Sequence, residues 1–218
     1  MSSFVPTMTL WYRQPAAAWT AALPLGNGRL GAMVFGSVPE ERLQLNEESI
    51  WAGGPADCHN PKALAAKPEV RRLLFAGENE AAAKLAGETM MGIPCRVKPY
   101  QPLGDLWLRA DHGEEISAYR RELSLRDGVA KVSYQADGTV FTREVLCSAV
   151  DQVLACRVSR ADGKPLRLTV RLTRERDATV VPLGTAGLAL TGLVNGGDGV
   201  AFGAQLRAMG KDLQCQAT

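Results

Sequence analysis

The sequence predicts a mainly β protein: an antiparallel β-sandwich (a super-sandwich) with a small two-helix insertion. Three observations carry that class. After Gly104 apolar residues recur mostly with a period of two, Asp-Gly pairs punctuate those segments, and helical periodicity is confined to about residues 68–90. Side chains alternate faces along a strand, so period two marks a half-buried strand. Asp-Gly tolerates the positive φ of tight hairpin turns. Short strands with helices segregated in one insertion fit stacked antiparallel sheets and not a parallel, doubly wound fold.

The first dense stretch runs Leu23-Pro24-Leu25-Gly26-Asn27-Gly28-Arg29-Leu30-Gly31 and continues through Ala32-Met33-Val34-Phe35-Gly36. An apolar run, a Pro-containing turn at Ser37–Glu40 and an alternating Glu41–Asn46 read as a β-hairpin. GNGRLG also spells the dinucleotide loop G-x-G-x-x-G, which requires a helix opening on its third glycine. Gly36 and Pro39 would interrupt that helix at once, leaving no row of N–H groups for a pyrophosphate, so no cofactor is expected. The glycines serve backbone shape: Gly26 and Gly28 permit a positive-φ turn, and Gly31 and Gly36 flank a buried strand. Arg29 is expected to tie the turn to a carboxylate or a carbonyl.

In the helical stretch Pro68 is placed at a first turn, Val70, Leu73 and Leu74 share a face, and Gly77 is the stop. A second helix runs from Glu78 or Asn79 to about Met90, with Ala82, Leu85 and Ala86 at helical spacing. Strands follow at Gly104–Arg109, Val129–Ala136, Thr139–Cys147, Gln152–Ser159, Gly187–Val194 and Val200–Arg207. Leu166, Leu168, Val170 and Leu172 alternate with Arg167, Thr169, Arg171 and Thr173, which makes the basic run the wet face of a strand. Asp127-Gly128, Asp137-Gly138 and Asp162-Gly163 supply turns. Asp212–Thr218 follow the last strand without a capping turn, which reads as a sandwich cut short.

Twenty-five basic against 23 acidic residues leave a net charge of +2, so neither nucleic acid nor an anionic membrane is expected as a partner, and a neutral polar ligand fits better. The five cysteines (Cys58, Cys95, Cys147, Cys156, Cys215) show no C-x-x-C spacing, and His59 and His112 are the only histidines, so no metal is expected. Cys147 and Cys156 sit among apolar strand residues as small hydrophobes. Met1–Leu10 lack the features of a secretory leader and no run approaches transmembrane length, so the chain as written reads as soluble and cytoplasmic, with export implied only by a start further upstream.

Gln44-Leu45-Asn46-Glu47-Glu48-Ser49-Ile50-Trp51-Ala52-Gly53-Gly54-Pro55 is the second dense stretch. Amides and carboxylates bond hydroxyls and an indole stacks on a pyranose face, so Asn46, Glu47 and Trp51 are the candidate substrate-binding residues. The same residues fit a turn cap, solvated carboxylates and a core tryptophan. A glycosidase needs its two carboxyl groups several ångströms apart, in distinct environments and flanking the scissile bond, which adjacency of Glu47 and Glu48 does not provide. No catalytic residue is assigned. Trp11, Tyr12, Trp19, Tyr100 and Trp107 fit a sandwich core better than a carbohydrate surface.

Taken together, Leu10-Trp11-Tyr12, Trp19, Ala22 to Gly36 with its GNGRLG, Glu41-Arg42-Leu43-Gln44-Leu45-Asn46-Glu47 and Trp51-Ala52-Gly53-Gly54-Pro55 resemble the N-terminal domain of glycoside hydrolase family 95. Asn60-Pro61, Pro68 to Leu74, Met91-Gly92 and Tyr100-Gln101-Pro102-Leu103-Gly104-Asp105-Leu106 continue the order, and the resemblance runs from about Leu10 to Arg207. It implies a β-sandwich preceding a helical (α/α) barrel in a longer enzyme. The family's members are mostly inverting α-L-fucosidases, some acting on α-L-galactosides. A glutamic acid protonates the leaving oxygen, and an amide-and-carboxylate group positions the attacking water, all from the barrel. None of these carries over to a position here, so the chain alone is expected to be inactive. The competing expectation is a stand-alone carbohydrate-binding β-sandwich.

Overall fold

The structure, a computed structural model, describes residues 8–211. Among these residues the strands lie in three antiparallel sheets. The first, in spatial order, is β1 (Thr9–Tyr12), β6 (Ser117–Ser124), β7 (Val129–Ala136), β8 (Thr139–Ser148) and β9 (Val153–Arg160). The second is β10 (Leu168–Thr173), β5 (Gly104–Ala110), β4 (Glu40–Glu47), β3 (Leu30–Val34) and β2 (Leu23–Gly26). A smaller third sheet holds β11 (Ala178–Pro182), β12 (Gly187–Leu193) and β13 (Ala201–Arg207).

Alternation builds the core. On β7 Ala130, Val132, Tyr134 and Ala136 turn inward, and Leu43, Leu106, Leu108 and Leu172 of the second sheet meet them, joined by Leu188 and Leu190 of the third. Each large apolar side chain removed from water contributes about 1.5–3 kcal/mol, which is what clamps the sheets face to face. Turn chemistry sets the registers. Asp137 (φ 49°) and Gly138 (φ 72°) form the two-residue connection that pairs Ala136 with Thr139, and Gly128 and Gly163 also take positive φ.

Several expectations need correction. Helix α1 spans Ala63–Phe75, so Pro68 lies inside it and not at its first turn. Asn60 makes the turn that precedes the helix, its Oδ1 accepting from Lys62 N at 3.0 Å and its carbonyl from Ala63 N at 3.1 Å, while Lys62 holds the cap position without a side-chain bond. Val70 and Leu73 are buried, but Leu74 faces solvent. Helix α2 (Asn79–Thr89) starts after Gly77 at φ 77° and buries Ala82 as expected. Gly26 lies within β2, and the positive φ falls on Gly28 and Gly36. The aromatics are not in the core: Trp11, Tyr12, Trp19 and Tyr100 are exposed, and Trp107 lies half-buried beneath Arg42 and Arg171. Trp11 shares β1 with Tyr12 on an edge of the first sheet, and Trp107 alternates with the inward Leu106 and Leu108. Asp212–Thr218, with Cys215, lie outside the described residues.

Candidate functional site

GNGRLG forms the β2–β3 turn. Asn27 Oδ1 accepts from Arg29 N (3.0 Å) and Leu30 N (2.8 Å), while its Nδ2 donates to the Ser148 carbonyl at 2.8 Å. Arg29 Nε donates to Gln152 Oε1 at 2.9 Å and its Nη2 to the Gln152 carbonyl at 3.2 Å, with Nη1 3.7 Å from Glu47 Oε1. Ser148 ends β8 and Gln152 precedes β9, so this turn rivets the second sheet to the first. The expected tie of Arg29 to a carboxylate or carbonyl is met by both.

The β3–β4 register pairs Gly31 with Asn46 and Leu30 with Glu47, which sets both candidates beside that turn. A side chain at Gly31 would stand 3.2 Å from the Leu25 carbonyl, so glycine lets the β2–β3 hairpin close there. Glu47 Oε2 accepts from Ser49 N (2.9 Å) and Ser49 Oγ (2.6 Å). Its carboxylate is held by Ser49 and faced by Arg29, which fixes Glu47 in position.

Beyond β4 the chain enters a short ribbon. Gln101 N donates to the Ile50 carbonyl at 2.9 Å, Trp51 bridges Tyr100, and Ala52 N donates to the Pro99 carbonyl at 2.9 Å. Ile50 and Ala52 are buried beneath it, and Asn195 Nδ2 anchors the Ala52 carbonyl at 2.9 Å. Alternation therefore turns Trp51 outward, 41% exposed, with Nε1 donating to the Glu48 carbonyl at 3.2 Å. Tyr100 packs edge-on to it, ring centroids 5.1 Å apart at 78°. The Tyr100 hydroxyl donates to the Glu47 carbonyl and also meets the Asn46 side chain. Partial burial raises its pKa, so it stays a donor, although the Asn46 contact opposes the shift.

Asn46, Glu47 and Trp51 are thus brought together with Ser49 and Tyr100 on one surface. Two half-exposed aromatic rings stand beside an amide and a fixed carboxylate, an arrangement that can stack on one sugar face and bond its hydroxyls. Tyr100 and Ser49 were not identified as members. The Tyr100–Gln101–Pro102 order held no periodic signal, because its pairing with Trp51 crosses the whole helical insertion. Among the described residues no group of three or more His, Cys, Asp and Glu could hold a metal ion. His112 is structural, 2.9 Å from the Tyr134 hydroxyl and tilted against Phe141, ring centroids 4.8 Å apart.

Inside the sandwich lies a second polar cluster that sequence reading passed over. Glu41 Oε2 and Arg143 Nη2 are 2.6 Å apart, and both side chains are almost wholly buried. Gly36 N donates to Glu41 Oε1 at 2.8 Å, Arg143 Nη2 donates to the Ser37 carbonyl at 2.9 Å, and the Tyr119 hydroxyl donates to the Gly36 carbonyl at 2.6 Å. Arg121 donates to the carbonyls of Gln14 and Ala21, both at 2.8 Å, and lies over Tyr12. Burial pushes the Glu41 carboxyl above the ordinary carboxylate range, opposed by Arg143 and three backbone N–H groups. The cluster holds the β3–β4 turn through Gly36 and Ser37.

Comparison with known proteins follows the same outline. The family described as glycosyl hydrolase family 65, N-terminal domain, matches residues 10–217. The chain is 42% identical over 175 residues to a protein of Arabidopsis thaliana named alpha-L-fucosidase 2, covering 77% of this chain and 20% of the relative. It is 32% identical over 172 residues to a probable alpha-fucosidase A of Aspergillus niger, covering 74% and 21%. A probable alpha-fucosidase A of Aspergillus oryzae is 30% identical over 158 residues, covering 70% and 22%. The chain spans about a fifth of the length of the curated relatives it matches. With the β-sandwich in place and the family match running over nearly all of it, the chain belongs to the N-terminal domains of the family 65 type of glycosyl hydrolases.

Proposed function

We propose that this chain is the N-terminal β-sandwich of an exo-glycosidase of the family 95 kind, which hydrolyses terminal α-L-fucosyl or related α-L-galactosyl linkages with inversion. The observation that carries the reading is the juxtaposition of Asn46, Glu47, Trp51 and Tyr100 on one exposed surface, in a chain whose relatives are named α-fucosidases. In this reading the sandwich packs on a helical barrel that supplies the acid and the water-positioning groups, and the ribbon contributes to the rim of its active site. The riveted β2–β3 turn gives that rim a rigid base, and the fucosylated glycan is the ligand.

A purified 218-residue chain incubated with an aryl α-L-fucoside is expected to release no phenol, whereas the full-length protein is expected to do so with inversion of the anomeric centre. Turnover by the short chain that persists through further purification would overturn the assignment of chemistry to the barrel. Exposure of Trp11 and Trp19 favours a second reading, a stand-alone carbohydrate-binding sandwich. Calorimetric titration of the short chain with fucose and fucosylated oligosaccharides separates the two, since only the module binds by itself.

A further inference from the structure

We infer that Cys58 and Cys95 form a thiol–disulfide site at the neck of the ribbon that carries the two helices. The segments around 50–60 and 91–101 run antiparallel, and their contacts at either end share one register. Ile50 faces Gln101, Trp51 faces Tyr100, Ala52 faces Pro99, Cys58 O accepts from Ile93 N at 3.0 Å, and Asn60 Nδ2 donates to Met91 O at 2.8 Å. Gly53 also obeys it, since a side chain there would meet Lys98 at 2.8 Å.

The Ile93–Cys58 bond sets Cys58 opposite Ile93, and Cys95 lies two residues further along that same segment. Diagonal residues of an antiparallel pair lie about 7–8 Å apart at Cα and closer at Cβ. A disulfide spans about 4.4–6.8 Å at Cα, so closure asks the segment carrying Cys95 to come nearer than a regular ladder would hold it. The site can supply that approach. Residues 93–96 form bends outside any strand, and Gly92 already lies so close that a side chain there would stand 3.0 Å from the Cys58 carbonyl and 3.4 Å from its Cβ.

Both thiols are exposed, in contrast to Cys147 and Cys156, whose strand positions and burial push their thiols up. Exposed Arg96, next to Cys95, adds positive charge that attracts an anionic oxidant, while Lys98 faces Asp198 at 3.9 Å. The oxidant class is a small-molecule disulfide such as oxidised glutathione. The thiolate of one cysteine attacks it, forming a mixed disulfide and releasing one thiol. The second cysteine's thiolate then attacks the protein sulfur, forming the Cys58–Cys95 bond and releasing the second thiol. Two electrons and two protons pass from the protein to the reagent. The product closes a loop around α1 and α2, and it sits on the ribbon whose other end presents Trp51 and Tyr100.

The test is a non-reducing tryptic map of the protein after incubation with oxidised glutathione and acid quench. The expected product joins peptide 43–62 to peptide 85–96, two hydrogens lighter than their sum, in a protein that stays monomeric on a non-reducing gel. Cys95→Ser is expected to lose the linked peptide entirely and to carry glutathione on Cys58. Separate glutathione adducts on both cysteines of the wild type, a link between two chains, or two unreacted thiols under conditions that oxidise dithiothreitol would each overturn the site.

Discussion

Replacing Arg143 by Met removes one half of the buried ion pair and leaves the other without its counter-charge. Glu41 is fully buried, and its carboxylate lies 2.6 Å from the guanidinium. Unit charges at about 4 Å and an effective dielectric near 20 attract by about 4 kcal/mol. Breaking a buried pair from one side costs about 3–5 kcal/mol. The Ser37 carbonyl also loses its guanidinium donor, whereas Glu41 keeps its backbone donors at Gly36, Ser37 and Arg42. The expected loss is therefore about 3–5 kcal/mol at pH 7, or roughly 6–20 °C in Tm for a domain of this size.

The loss carries a pH signature. In the variant the Glu41 carboxyl has a folded pKa raised by burial and no longer held down by Arg143, against an unfolded value near 4.5. Between those values the folded state binds a proton that the unfolded state does not, so stability rises as pH falls from the raised folded value towards 4.5, by up to about 1.4 kcal/mol per pH unit. In the wild type the same burial acts against the guanidinium, so the slope is smaller. Urea melts at pH 8, 7, 6 and 5 read both effects, and the double variant Glu41→Gln/Arg143→Met is expected to recover most of the stability and lose the slope. A cost below about 1 kcal/mol with no pH dependence would refute a buried, unsolvated pair.

Gly36→Ala and Gly138→Ala share a positive φ, 76° and 72°, yet only at Gly36 would the new Cβ meet Tyr119 Oη at 2.4 Å. The turn substitution is expected to cost about 1–2 kcal/mol and the Gly36 substitution clearly more, read as urea midpoints; equal costs would remove the clash from the explanation. Asn27→Ala deletes two local acceptor bonds and leaves the Ser148 carbonyl without its donor, an expected loss of about 1–2 kcal/mol in the same assay. Burial pushes the Cys156 thiol up to about 11, so its thiolate fraction at pH 8 is roughly 100-fold below that of an unperturbed thiol. With a chromogenic disulfide the native protein is expected to show fast Cys58 and Cys95 and a Cys156 that reacts only after denaturant is added.

The sandwich was legible wherever one face of a strand was wholly apolar. Val129–Ala136 shows this best, because its inward residues are Ala130, Val132, Tyr134 and Ala136 and its turn is Asp-Gly. Strand β6 was missed because its inward face reads Tyr119, Arg121, Leu123, and a guanidinium in the middle breaks the apolar alternation. Glu41 hid in the same way, although its parity with Leu43 placed it inward and could have revealed it. β2 carries Pro24 and β1 spans four residues, both too weak a signal for local reading. The start of α1 was misplaced because Pro68 looked like a first-turn residue, while the helix begins at Ala63 after a turn at Asn60 and has no side-chain cap to mark it. Of the site, Asn46, Glu47 and Trp51 could be nominated from residue types alone. Tyr100 could not, since only the ribbon register brings it to Trp51.

The most direct test is the activity of Trp51→Ala in the full-length protein. Trp51 is 41% exposed and lies outside the buried cluster beneath the ribbon, so Tm should stay near the wild-type value. If the ribbon lines the active-site rim, kcat/KM for an aryl α-L-fucoside falls about 10-fold, equivalent to 1.4 kcal/mol, mainly through KM, and Trp51→Phe recovers part of it. Wild-type kcat/KM in Trp51→Ala, with the fold intact, would remove the ribbon from the site.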